Sequence, residues 1–419
     1  MNAIPDALES SVTMGRRPLL RHGVPRALVL RRLRQLQGGY LVVEERHGRY
    51  GFGDPDAPLR CRVRVHDPSL YEALALRGSV GAGEAYMDGC WECDDLVALI
   101  RLLVLNRDVL DGLERGFARL GAAALRLWHR LRPNTLTGSR RNIAAHYDLG
   151  NPFFAQFLSQ DLMYSSAIWE GADATLEQAS TRKLVRICER LQLAASDHVL
   201  EIGTGWGGFA LHAARYHGCR VTTTTISQEQ YRLARDRVRA AGLERQVTVL
   251  LQDYRQLTGV YDKLVSIEMI EAVGASFLPH FFAKVGQLLK PSGLALLQAI
   301  TIEDHRYAQA LASVDFIKRH VFPGSFIPSI AAMLEAKTGV SDLALVHLQD
   351  YGSSYARTLA AWRANYHRNL DEVRRLMPDE RFIRLWDFYL AYCEGGFRER
   401  AIGVAQLLFA RPGYRPPPG

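Results

Sequence analysis

The sequence predicts an α/β protein in which a doubly wound, Rossmann-like domain follows a smaller N-terminal α+β domain. Three observations carry this. From about residue 195 strand-like and helix-like patterns alternate. The first of these strands runs into a glycine-rich turn. Between residues 40 and 65 the polar and apolar residues instead exchange at period two. A chain of 419 residues is long enough for two or three cores.

Residues 1–35 are Arg-rich and broken by Pro5, Pro18 and Pro25. The segments Tyr40-Leu-Val-Val-Glu, Gly48-Arg-Tyr-Gly-Phe-Gly and Leu59-Arg-Cys-Arg-Val-Arg-Val then read as strands of a small sheet. From Pro68 the period turns helical, with helices expected over 69–76, 83–86 and 94–105. Residues 113–132 set Leu113, Phe117, Leu120, Leu125, Trp128 and Leu131 near one face and Arg115, Arg119, Arg126 and Arg130 near another. Such a basic amphipathic helix either lies on an anionic membrane surface, gaining roughly 1 kcal/mol per well-placed Arg, or packs as a linker with solvated arginines. Residues 133–141 read as a hinge. Strands are expected at 198–202, 220–224, 247–251, 262–267, 294–302 and 404–410, and helices at 207–216, 228–241, 278–289, 355–377 and 379–397. The organisation that follows is a basic segment (1–35), a small N-terminal domain (36–112), an amphipathic helix with linker (113–141) and a doubly wound domain (142–419).

Composition narrows the class. Hydrophobic residues make up 48% and charged residues 23%, the balance of a globular enzyme rather than a disordered or fibrous chain. The most apolar run, 96–110, is interrupted by Arg101, Asn106, Arg107 and Asp108 and falls short of the roughly 18–20 residues of a membrane span. The start of the chain lacks signal-peptide character, so the expected location is cytoplasmic. The net charge of +8 comes from arginines concentrated in the first 141 residues and suggests an anionic partner. Of the six cysteines only Cys90 and Cys93 form a pair by spacing, with no second pair to complete a zinc site, so reduced thiols and no metal are expected.

The segment Val199-Leu-Glu-Ile-Gly-Thr-Gly-Trp-Gly-Gly-Phe-Ala fits strand, glycine turn and helix, with Gly203, Gly205 and Gly208 at GxGxxG spacing and Gly207 inside the turn. A nicotinamide dinucleotide site would want an acid after the second strand, but the chain offers Thr222-Thr-Thr-Thr-Ile-Ser. Glu201, two residues before the first glycine, can orient the loop and attract the amino group or sulfonium of S-adenosylmethionine. Asp253, in Leu251-Gln-Asp-Tyr, is placed to accept from an adenine amino group. S-adenosylmethionine is therefore the expected cofactor, and the doubly wound domain is read as a class I methyltransferase.

Several ordered motifs resemble the cyclopropane-fatty-acyl-phospholipid synthase family. They are His146-Tyr-Asp-Leu-Gly-Asn-Pro-Phe-Phe, Met163-Tyr-Ser-Ser-Ala-Ile-Trp, Leu200-Glu-Ile-Gly-Thr-Gly-Trp-Gly-Gly, Thr225-Ile-Ser-Gln-Glu-Gln, Leu251-Gln-Asp-Tyr, Ser266-Ile-Glu-Met-Ile-Glu-Ala-Val-Gly and Phe322-Pro-Gly-Ser-Phe-Ile-Pro-Ser. Gly81-Ala-Gly-Glu-Ala-Tyr-Met-Asp-Gly and Tyr392-Cys-Glu-Gly-Gly-Phe-Arg extend the match in both directions. The resemblance implies one-carbon transfer from S-adenosylmethionine to the double bond of phospholipid acyl chains, with residues 36–112 as a lipid-binding domain and 142–419 as the catalytic domain. It places Tyr164 and Ser165 against the methionine carboxylate, and Thr225, Ile226, Gln230 and Tyr254 around the ribose and adenine. The segment at His146 and Tyr147 would close over the cofactor.

The same resemblance implies a bound bicarbonate as base, cradled by Ser166, Glu271, Gln298, the Ile300 backbone and Tyr355. Glu268 is the alternative carboxylate near the cofactor. The family more often carries Cys at 166 and His at 298 and 272, where this chain has Ser166, Gln298 and Ala272. If these changes redirect the carbocation, the product is a methylated chain without a ring. The expected partners are unsaturated acyl chains, an anionic membrane surface on the cytoplasmic side and a second copy in a homodimer, with nucleic acid excluded for want of an aromatic-studded basic groove. A soluble small-molecule methyltransferase is the competing class.

Overall fold

The computed structural model describes residues 19–107 and 149–416; the basic segment at 113–132 and the pair His146 and Tyr147 lie outside the described residues. Helix α1 (Leu19–Leu33) precedes strands β1 (Tyr40–Glu45), β2 (Gly48–Gly53) and β3 (Arg60–Val65). In β3 the arginines at 60, 62 and 64 face solvent while Cys61, Val63 and Val65 are buried, which is the alternation read from the sequence. The sheet order is β2-β1-β3-β4, with β1 and β3 parallel and the other pairs antiparallel. Strand β4 (Trp91–Cys93) has three residues, too few to show a period.

The helices expected at 69–76 and 83–86 are two parts of α2 (Ser69–Met87), which breaks at Gly78 with φ 54° and ψ −134°. That conformation is open to glycine and strained for other residues. Helix α3 (Leu96–Leu105) starts where the Asp95 carboxylate accepts from the Ala98 amide at 2.9 Å.

The larger layer holds α4 (Leu176–Leu191), β5 (His198–Ile202), α5 (Gly208–His217), β6 (Arg220–Thr225), α6 (Gln228–Ala240), β7 (Val247–Leu251), β8 (Tyr261–Ile267), α7 (Leu278–Leu288) and β9 (Leu289–Ile302). It continues through α8 (Ile330–Lys337), β10 (Ala344–Asp350), α9 (Gly352–Arg368), α10 (Leu370–Leu376), α11 (Glu380–Arg398) and β11 (Ile402–Ala410). The seven-stranded sheet runs β10-β11-β9-β8-β5-β6-β7, parallel from β9 to β7, with β11 antiparallel to both of its neighbours. The order reverses between β5 and β8, and ligands of open α/β sheets bind at such a switch point.

Several elements differ from the sequence expectation. Strand β10 is not among the expected strands; it lies on the sheet edge, half exposed along its length, where no face needs an apolar pattern. Helix α4 is opened by a capping box between Thr175 and Gln178 and buries Leu184, Ile187 and Leu191. The single helix expected over 355–377 is divided at Asn369 into α9 and α10.

One hydrophobic cluster joins the small sheet to α9 and α11. Tyr86 donates to Asp387 at 3.0 Å across this junction, and a Cβ on Gly83 would sit 2.4 Å from the Phe316 ring. Phe153, Phe157, Trp362 and Trp386 are almost wholly buried and meet edge-on or tilted. Truncating one such ring costs about 3–5 kcal/mol. Among the described residues no helix is long and apolar enough to cross a membrane.

Candidate active site

Strand β5 delivers Glu201 to the switch point and then turns through Gly203 (φ 103°), Gly205 (φ 52°) and Gly207 (φ 87°) before α5 begins. Side chains other than glycine's are disfavoured at these angles. The amides of Gly203 and Thr204 both donate to the Thr224 carbonyl, which ties the loop to β6. At Gly208 the backbone passes so near Met163 that a Cβ would lie 2.4 Å from its sulfur.

Glu201 is buried, and its carboxylate accepts from the Thr223 hydroxyl at 2.6 Å. Burial pushes its carboxyl up to about 8, with the Thr223 hydrogen bond pulling the other way. At the end of β6, Thr225 donates to the Gln230 side chain at 2.8 Å. Asp253 follows β7 and holds the Arg255 guanidinium, Oδ2 to Nη2 at 2.7 Å, while Tyr254 meets Phe281 edge-on. The Tyr164 and Tyr389 hydroxyls lie 2.8 Å apart. Ser165 accepts from Lys183 at 2.6 Å.

Tyr164, Ser165, Glu201, Gly203, Gly205, Thr225, Gln230, Asp253, Tyr254 and Tyr389 line one cavity of about 590 Å3, which also takes in Ile226, Glu268, Glu271, Ile300 and Tyr355, while Gly207, Thr223 and Lys183 stand behind its wall. Ser166 and Gln298 do not line it; they stand behind Glu268. Besides Glu201 and Asp253, the carboxylates Glu268 and Glu271 thus line the cavity. The Glu268 carboxylate accepts from the Ser166 amide (2.8 Å), the Gln298 side-chain amide (2.8 Å) and the Tyr355 hydroxyl (2.7 Å). Glu271 accepts from the Ile300 amide at 2.5 Å, and its second oxygen is buried without a hydrogen-bond partner.

Burial and the neighbouring Glu268 push the Glu271 carboxyl up to about 8. Burial also raises Glu268, but Tyr355, Gln298, Lys183 and the Ser166 amide each favour its charged form. The Ser166 hydroxyl itself donates to the Ala167 carbonyl. The donors expected to hold a separate anion are thus already committed, Gln298, Tyr355 and the Ile300 amide to the chain's own carboxylates and the Ser166 hydroxyl to a backbone carbonyl. A separate bicarbonate does not fit among them in this arrangement.

Lys183 escaped the sequence reading. It sits on the buried face of α4 with its pKa lowered to about 8 by burial. The available signal was its place on the apolar stripe with Leu176, Ile187 and Leu191. Away from the cavity, Cys188, His212 and His217 bring their ligand atoms within 4.8 Å of one another. Burial pushes the Cys188 thiol up to about 12 and His212 down to about 4, which favours the neutral form of each.

Strand order, glycine turn and buried acid together define a class I S-adenosylmethionine-dependent methyltransferase. The comparisons sharpen that class. Residues 134–407 match the mycolic acid cyclopropane synthetase family, and the chain belongs to it. It is 37% identical over 382 residues to a tuberculostearic acid methyltransferase of Mycobacterium tuberculosis, covering 87% of this chain and 86% of that one. It is 36% identical over 352 residues to the cyclopropane-fatty-acyl-phospholipid synthase of Escherichia coli, covering 83% and 87%. Among solved structures it resembles mycolic acid cyclopropane synthase CmaA1 complexed with SAH and CTAB, with a TM-score of 0.61 and 29% identity over 65% of this chain and 98% of that one.

Proposed function

We propose that this chain transfers a one-carbon unit from S-adenosylmethionine to the double bond of unsaturated fatty acyl chains in membrane phospholipids, forming cyclopropane fatty acids. The observation that carries the reading is the composition of this cavity. It joins the cofactor loop and two buried carboxylates to an apolar wall of Leu74, Leu99, Ile100, Leu103 and Val104 from the N-terminal domain. A soluble, polar substrate would find few partners on that wall.

The cofactor residues would be those of the Gly203–Gly207 turn, with Thr225, Ile226, Gln230, Asp253 and Tyr254 on one side and Tyr164 and Ser165 on the other. When bound, S-adenosylmethionine supplies an electrophilic methyl group on its sulfonium. The apolar wall desolvates the alkene and aligns it. The faces of Tyr164, Phe322 and Tyr389 suit the positive charge that develops on the acyl chain. Glu271, fixed by the Ile300 amide, turns its unpartnered oxygen toward the same charge. Arg107 and Arg306 also line the cavity and are chemically suited to a lipid phosphate, in keeping with peripheral attachment to the inner face of the cytoplasmic membrane.

A second reading is methylation without ring closure. It is favoured by the engagement of Ser166 and Gln298 with Glu268, which changes how a proton is removed. The test is to incubate the protein with S-adenosylmethionine and vesicles of mono-unsaturated phospholipid, then to analyse the released fatty acids by mass spectrometry and proton NMR. A gain of one CH2 with upfield ring protons supports cyclopropanation. The same gain with a retained vinyl signal selects the second reading, and no gain defeats both.

A further inference from the structure

We propose that Glu268 is the general base of the one-carbon transfer, a carboxylate built into the chain where a bound anion would otherwise be needed. The inference rests on the function just proposed and deepens it.

Hydrogen-bond capacity gives the first argument. A carboxylate has about four acceptor sites. Both donors on Oε1, from Ser166 and Gln298, fill that oxygen, while Oε2 takes only the Tyr355 hydroxyl and keeps one site. Glu268 lines the cavity, so that remaining site is within reach of a bound chain. The second argument is backbone strain. Glu268 has φ 47°, one of four non-glycine residues with positive φ among the described residues. A left-handed glutamate in the interior costs on the order of 1–3 kcal/mol and persists where its surroundings overdetermine it. Here the Glu268 amide donates to the Gln298 carbonyl at 2.7 Å, so one residue fixes both its backbone and its side chain. Burial raises the Glu268 pKa, as suits a proton acceptor, while the Tyr355 and Gln298 hydrogen bonds and the nearby Lys183 charge offset part of that penalty.

The proton step balances without any further reactant. The alkene pair bonds to the methyl carbon as the sulfonium C–S bond breaks and S-adenosylhomocysteine leaves with the C–S pair, which puts the cation on the adjacent acyl carbon. Glu268 takes a proton from the new methyl group, and the released C–H electron pair forms the bond that closes the ring. Glu268 leaves the step as a carboxylic acid and returns the proton to water. If a hydride first moves to the cationic carbon, the same proton removal leaves a methylene group instead of a ring.

The experiment compares wild type, Glu268→Gln and Glu268→Gly. Glycine suits φ 47° and opens the cradle to a small anion. Turnover on phospholipid vesicles is measured in carbonate-free buffer and with added bicarbonate, and binding of 13C-bicarbonate is followed by NMR line broadening. S-adenosylmethionine affinity serves as the check on folding.

Expected are wild-type turnover indifferent to bicarbonate, with no line broadening, and a loss of at least about 100-fold in both variants. Glu268→Gly should bind 13C-bicarbonate and recover about tenfold when it is added, whereas Glu268→Gln should not. Bicarbonate binding to wild type, a bicarbonate requirement of wild-type turnover, or near-normal turnover of Glu268→Gln would each overturn the proposal. If wild type leaves the lipids unchanged, the proposed function falls. The NMR comparison then still decides whether Glu268 fills the anion cradle.

Discussion

Apart from Tyr164 and Ser165, the wall proposed to receive the cofactor comes from consecutive strand-to-helix turns between residues 201 and 254, held by glycine backbone and threonine contacts within 22 residues. The wall around Glu268 and Glu271 is assembled otherwise, from Ser166 before α4, Gln298 and Ile300 in β9, and Tyr355 in α9. The first is local in sequence and depends on backbone shape. The second is non-local and depends on how donors are shared between two acids. A local wall survives the loss of a distant side chain, whereas a shared donor set does not.

The sharpest way to break this division is Glu271→Gln. Turnover should fall by at least about 100-fold while S-adenosylmethionine affinity, read by calorimetry, stays within a few-fold of wild type. Loss of cofactor affinity instead would show that the two walls act as one. The converse change is Gly208→Val, which drives a side chain into the Met163 sulfur and shifts the neighbouring Tyr164 and Ser165. Cofactor affinity should drop about tenfold, or about 1.4 kcal/mol, and stability by about 1–3 kcal/mol. An unchanged dissociation constant would mean that Met163 yields freely.

A third test is a pH slope in stability to which both walls contribute. Glu201 and Glu271 ionise near pH 4.5 in the unfolded chain but only near 8 when buried. Between those values the folded state holds protons that the unfolded state has released, so stability falls as pH rises. Each group contributes up to about 1.4 kcal/mol per pH unit. Urea unfolding of the ligand-free protein at pH 5, 6.5 and 8 should show the decline, and Glu201→Gln or Glu271→Gln should each flatten it. Equal slopes in all three proteins would refute the assignment.

The same contrast explains what could be read in the sequence. Period and glycine spacing located β5, β6, β7 and the cofactor turn to within a residue or two, because each is set by neighbours along the chain. Glu201, Asp253 and Glu271 were reachable for the same reason, as acids at strand ends. The partners of Glu268 were not. The family resemblance groups Ser166, Gln298 and Tyr355 around a separate anion beside Glu271, but no local pattern announces that these residues, up to 102 positions away, converge on Glu268 instead. Lys183 was hidden among the arginines of α4. Strand β10 was missed because an edge strand need not bury a face, and α2 was divided because a helix that kinks at glycine has the local pattern of two.

The unbroken core between the small sheet and helices α9 and α11 has a consequence for modularity. Leu99, Ile100 and Trp91 lie in one cluster with Tyr355 and Trp362, and they border the same cavity as the carboxylates. The surface that would sort acyl chains by length and the machinery that would alter them are therefore inherited as one piece. Recombination that exchanged the first hundred residues between relatives would carry half a core into a partner shaped for a different half. New chain-length preferences in this lineage should thus arise by point changes along the shared wall, not by shuffling of domains.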